Sequence, residues 1–147
     1  MAAGFGPGPN EAACPCGSGG VYGACCGPLH RGQAQAATAE QLMRSRYSAF
    51  ALEALDYLIA THPDPQQSAA QRRRDLRASC RQTRWLGLEI VAVDRGGPRD
   101  LEGSVCFEAR FRAGGRIAVL RETSWFERRG RDPQGAWLYI KALESSG

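Results

Sequence analysis

The chain has 147 residues, 43% of them hydrophobic and 23% charged, which suits one soluble domain with a small appendage. No stretch approaches the roughly eighteen apolar residues that a membrane-spanning helix requires. The formal charge of +4 is carried almost wholly by arginine, with Lys141 the sole lysine, and is too small to argue for a nucleic-acid partner.

Residues 1–13 are rich in Gly, Pro and Ala and are expected to form a disordered tail. They lack both the basic residues and the apolar block of a secretory signal, so a cytoplasmic location is expected. Residues 14–27 then place Cys14, Cys16, Cys25 and Cys26 around Gly17-Ser18-Gly19 and Tyr22. In a reducing compartment, clustered cysteines favour a metal over disulfides. Zn2+ is the first candidate, because it accepts four thiolates in a tetrahedron on short glycine-rich loops, with iron second. Four protein ligands leave no open position for water, so the site reads as structural. His30, four residues after Cys26, is the rival for one of the adjacent cysteines. Residues 28–37 read as a linker, and residues 38–147 as the main domain.

Thr38-Ala39-Glu40-Gln41 fits a capping box and predicts a helix start at Thr38. Leu42, Met43, Tyr47, Phe50 and Ala51, then Ala54, Leu55, Leu58 and Ile59, recur at helical spacing. A break is expected near Leu52 and Glu53, and His62-Pro63-Asp64-Pro65 ends the helical run. Ser68 opens a further helix to about Arg81, with Ala69, Leu76 and Cys80 as its inner face. Beyond Gln82 the pattern alternates. Strands are predicted over residues 84–94, with Leu86, Leu88, Ile90 and Ala92 on one side, and over 105–112, 116–128 and 137–143. Cys106 is read as an ordinary strand residue. Gly114-Gly115 forms the turn of a hairpin. Helices followed by an antiparallel meander make an α+β fold, with a curved sheet wrapped around the helices.

Arg72, Arg73 and Arg74 are the densest basic cluster, but no aromatic residues interleave with them as a stacking surface for single strands requires. A solvated helix face is expected. In the main domain, Arg46, Tyr47, Asp56, His62, Glu108 and Glu122 are the polar residues placed to line a concavity between helices and sheet. Arg46 and Tyr47 are adjacent on a helix and point about 100° apart, which argues against both facing one pocket centre. The plainer alternative for Arg46 is a pair with an acidic strand residue such as Glu108 or Glu122. The plainer alternative for His62, which precedes Pro63, is to cap the helix end.

Two patterns carry a family resemblance. Cys14-x-Cys16-Gly17-Ser18-Gly19-x-x-Tyr22-x-x-Cys25-Cys26-Gly27 resembles the SEC-C motif, a zinc-binding module known from the tail of the SecA preprotein translocase. Leu42 to Phe50, Asp56-Tyr57-Leu58, Thr61-His62-Pro63 and Trp85 to Leu88 resemble the YchJ-like family of uncharacterised bacterial proteins. The resemblance implies a main domain like nuclear transport factor two, a cystatin-like cone of helices on a curved antiparallel sheet. A protein partner docking on a structural zinc loop, as an interaction or adaptor module, is the leading functional expectation. The alternative is an enzyme or small-molecule binder that uses the cone.

Overall fold

A computed structural model describes residues 8 and 10–146. The expected disordered tail lies outside the described residues at 1–7 and 9. Residues 10–13 depart from that expectation, because they are tied into the cysteine loop. Ala13 bridges Val21, and the amides of Tyr22 and Gly23 donate to the carbonyls of Ala12 (2.8 Å) and Asn10 (2.9 Å).

After a 3-10 turn at Tyr22–Ala24, the chain forms α1 (Cys26–His30), α2 (Ala39–Leu52), α3 (Leu55–Ala60) and α4 (Ala69–Gln82). Helix α1 takes up the first residues of the expected linker. Thr38 caps α2 by accepting from the Gln41 amide at 3.0 Å, while the Gln41 side chain reaches the Ala37 amide, one residue before the cap. Helix α2 stops where Glu53 turns left-handed at φ 57°, separating it from α3 at the predicted break. Ser68 caps α4 through the Gln71 amide. Of α4's expected inner face, Cys80 is buried and Leu76 half-buried, whereas Ala69 is exposed.

Strands β1 (Arg84–Arg95), β2 (Glu102–Ala113), β3 (Arg116–Arg128) and β4 (Trp137–Ser146) form one antiparallel sheet in sequential order. Gly114 and Gly115 both take positive φ, 57° and 78°, as a two-residue hairpin between paired Ala113 and Arg116 demands. Register shifts at Trp85/Gly87 and Ile90/Ala92 interrupt β1. They overturn its simple alternation. Trp85 rather than Leu86 lies opposite Phe111, and Ala92 pairs with Cys106 while Ile90 pairs with the core residue Phe107. Such bulges bend a strand and deepen its twist, which curls the sheet around α2.

The core lies between that concave face and α2. It gathers Leu42, Met43 and Tyr47 with Val105, Phe107, Ala109, Phe126 and Trp137. Helix α2 is buried on more than this side, since Ser45, Arg46 and Ser48 are also closed from solvent. The cysteine loop covers its other face.

Candidate metal centre and cone cavity

The loop's geometry follows from its glycines. Gly17 and Gly19 take φ of 78° and 92°, conformations that glycine reaches without steric cost. They turn the chain so that Cys14 and Cys16 face Cys25 and Cys26 across the motif. The four Sγ atoms all lie within 4.8 Å of one another. Cys16 and Cys25 are 3.6 Å apart, and Cys25 and Cys26 4.0 Å. Sulfurs bound to zinc at about 2.3 Å in a tetrahedron stand about 3.8 Å from each other, so the spacing fits. The same distances are far beyond a disulfide bond of about 2.05 Å. Cys14, Cys16 and Cys26 are buried and Cys25 partly so, and all four are free thiols. This set of cysteines can hold a metal ion.

The sulfurs do not share charge evenly. The neighbouring Cys26 thiol is the main influence pulling Cys16 down, to about 4. The same contact, with burial, pushes Cys26 up, and burial pushes Cys14 up. A thiolate among buried thiols is the start of a ligand set that a divalent cation completes.

The loop is docked on the main domain. Arg44 Nη1 on α2 donates to the Cys16 carbonyl at 2.8 Å. His30 bridges the two parts. Its Nε2 donates to the Ser45 carbonyl at 2.8 Å, so its Nδ1 is left to accept from the Tyr22 hydroxyl at 2.6 Å. Burial lowers the His30 pKa and favours this neutral tautomer. With both ring nitrogens engaged, His30 is a strut between loop and helix, not a member of the sulfur cluster. Ser45 and Tyr57 continue the network, their hydroxyls 2.7 Å apart. Sequence reasoning missed this bridge. Its one trace is the pair of small polar residues Ser45 and Ser48, three apart on a helix whose opposite side is apolar.

On the far side of α2 the sheet encloses a cavity of about 290 Å3. Arg46, Tyr47 and Glu122 line it as expected, along with Trp85, Phe126 and Tyr139, which the sequence reading did not select. Adjacent positions on α2 thus both reach the cavity, contrary to the angular argument, because the space runs along the helix beneath a wide sheet. Arg46 does not pair with Glu108 or Glu122. Its Nη1 donates to the Leu58 carbonyl (3.0 Å) and Thr61 Oγ1 (2.7 Å), and the guanidinium lies over the Tyr139 ring at 4.9 Å. Burial pulls its pKa down to about 10, which leaves it cationic at neutral pH. Glu122 Oε2 accepts from Ser124 Oγ (2.6 Å) and the Tyr139 hydroxyl (3.2 Å). Burial, then the Glu122 charge, pushes the Tyr139 phenol up to about 12 and keeps it a donor. Alternation could have found these partners, since Glu122, Ser124 and Phe126 share one face of β3 and Tyr139 lies opposite Phe126.

The other three candidates lie elsewhere. Glu108 pairs with Arg121 at 2.7 Å, cross-strand on the opposite face of the sheet. His62 Nδ1 donates to the Tyr139 carbonyl at 2.8 Å, tying the end of α3 to β4 rather than capping the helix. Asp56 pairs with Arg73 in an outer groove between α3 and α4, where Arg81 likewise pairs with Glu53. Arg72 donates to the His62 carbonyl and ties α4 to the end of α3, whereas Arg73 and Arg74 make solvent-exposed contacts with Asp56 and Gln71.

Together these features define a class: a cone-shaped α+β domain of the NTF2-like type carrying an N-terminal cysteine-rich loop. Residues 38–142 match the family described as the YchJ middle NTF2-like domain, and residues 12–28 match the SEC-C motif. The chain belongs to the YchJ-like family. It is 47% identical to a UPF0225 protein of Ralstonia nicotianae, over 88% of this chain and 89% of that one. It is 44% identical to another from Chromobacterium violaceum, over 90% and 93% respectively. The solution structure of a SEC-C motif protein from Rhodopseudomonas palustris superposes with a TM-score of 0.72 at 36% identity, covering 88% of this chain and 95% of that one. The crystal structure of a SEC-C motif protein from Psychrobacter arcticus gives 0.73 at 26% identity, covering 95% and 86%. No helix among the described residues is long and apolar enough to cross a membrane.

Proposed function

We propose that this chain binds one zinc ion in a structural site and works through the cone, as a small-molecule binder whose N-terminal loop is clamped to the domain by the metal. The observation that carries the metal is the convergence of Cys14, Cys16, Cys25 and Cys26 at tetrahedral sulfur spacing. Zinc suits a closed, buried, all-thiolate set, where it supplies a crosslink that a short loop without its own core cannot otherwise provide. The cone is the better supported working surface. Tyr22 is turned inward onto His30, and Val21 is the exposed large apolar residue that the described loop offers a protein partner. The cavity, in contrast, brings a cation and a carboxylate together among aromatic walls, the usual character of a ligand site.

Metal analysis of the purified full chain tests the first half. One equivalent of zinc is expected, falling below about a tenth of an equivalent in Cys16→Ser and Cys25→Ser, because thiolate is the ligand and three remaining sulfurs hold the ion far more weakly. A Cys25→Ser protein that kept a full equivalent would overturn the ligand set. A predominance of iron in the native protein would overturn the choice of metal.

A further inference from the structure

Two charged side chains that line the cone cavity, Arg46 and Glu122, have unspent hydrogen-bonding capacity. Arg46 and Arg128 make the comparison, since both are buried to 8% exposure. Arg128 spends all three of its nitrogens on backbone: Nε on Asp100, Nη1 on Gly135 and Nη2 on Pro98. It is a structural clamp. Arg46 spends Nη1 alone, on Leu58 and Thr61. Its Nε and Nη2 have no partner among the described residues. No buried side-chain nitrogen or oxygen lacks a partner there, so these two nitrogens meet open space. The cavity supplies it. Free Nε and Nη2 form the guanidinium edge that receives a carboxylate through two parallel hydrogen bonds.

Glu122 is the mirror case. Ser124 and Tyr139 both donate to Oε2, and Oε1 has no partner among the described residues. Glu122 lies close enough to be felt electrostatically at Arg46, yet the two form no ion pair. A simple monoanion would gain Arg46 and be repelled by Glu122. A simple cation would face the reverse. A molecule bearing both charges satisfies both edges and enters the cavity without adding net charge to it, which avoids the cost of burying an uncompensated ion. The remaining walls are mostly apolar, with the aromatic Trp85, Phe107 and Phe126 beside Met43 and Leu120. At about 290 Å3 the space is at the small end of ligand sites, suited to one ring and a short polar arm.

Resting on the reading of the cone as a small-molecule site, we propose that the cavity binds a small aromatic amino acid or a close zwitterionic relative. The carboxylate is received by the free edge of Arg46, the ammonium by Glu122 Oε1, and the ring by Trp85, Phe107 and Phe126.

The test uses the zinc-loaded full chain and four probes of one skeleton: phenylalanine, 3-phenylpropanoate without the amine, phenethylamine without the carboxylate, and 3-phenylpropan-1-ol with neither charge. Binding is read by calorimetry and by NMR shifts of the Trp85 indole N–H. Phenylalanine is expected to bind tightest, with either single-charge probe weaker by about tenfold or more, the scale of one lost charge-assisted contact. Glu122→Gln should erase the advantage of phenylalanine over 3-phenylpropanoate and leave the alcohol unaffected. Arg46→Met should do the same for the comparison with phenethylamine. Because Arg46 also holds Leu58 and Thr61, the Glu122 variant and the probe series stand without it if that protein fails to fold. Equal binding of all four probes, with Trp85 shifts, overturns the zwitterion and leaves the cone as a binding site. Absence of Trp85 shifts with every probe overturns both.

Discussion

The two histidines, His30 and His62, are each held neutral by burial, and each uses one ring N–H on a backbone carbonyl of another element. For His62 the nearby Arg46 and Arg72 add a smaller push in the same direction. Its folded pKa therefore lies below the ordinary value of about 6.5. Above that pH both folded and unfolded states are neutral and nothing is lost. As pH falls through and below it, the unfolded chain takes the proton more readily, so the stability that neutral His62 contributes drains away. The melting temperature of wild type minus that of His62→Gln should accordingly shrink between pH 7.5 and 5.5, with acid effects at the cysteines common to both proteins. A difference that stayed constant over that range would mean His62 is not kept neutral. At this scale the sequence identified the four sulfurs, because ligand identity and spacing are local. It was a poor guide to Asp56, His62 and Glu108, because whether a polar side chain faces a cavity, a carbonyl or an arginine depends on partners up to 77 residues away.

Among the elements, α2 is the one on which the site depends, and its start is fixed by local chemistry. The Thr38 hydroxyl satisfies the Gln41 amide, and the Gln41 side chain returns to the Ala37 amide. Thr38→Ala should cost about 1 kcal/mol in urea unfolding, whereas Thr38→Ser should retain most of the stability, since serine supplies the same acceptor. An alanine variant as stable as wild type would show that packing alone sets the helix start. Caps, breaks and the Gly114-Gly115 hairpin were legible because each is written in a few consecutive residues. The faces of β1 were not, because bulges beside Leu86 and Val91 reset the two-residue period without an unambiguous signature, Gly87 being the sole glycine near them. Nor was the second buried face of α2. Ser45 and Ser48 look like solvent-facing residues until a loop lies over them.

For the whole molecule, that covering loop makes the metal centre part of the domain's architecture. Helix α2 is held on one side by Arg44 to Cys16 and by His30 to Ser45, and on the other carries Arg46 and Tyr47 into the cavity. The residues that grip the loop and those that line the cone are thus neighbours on a single helix. Five residues of α1 and a 3-10 turn have little core beyond the sulfurs, Tyr22 and Leu29, so the loop's fold is expected to depend on the metal that the sulfurs can bind. Stripping the metal with a strong chelator should release residues 10–30, withdraw both anchors, and speed amide hydrogen exchange along α2 by an order of magnitude or so, while β2 and β3 keep their protection through their dense cross-strand pairing. Hydrogen exchange read by mass spectrometry on metal-loaded and stripped protein separates the outcomes. If the loop peptides lose protection and those of α2 do not, the loop is an independent knob and the cone keeps its shape without it. If both lose protection together, the metal at the N-terminus sets the order of the helix that presents Arg46, and with it the readiness of the cavity to receive a ligand.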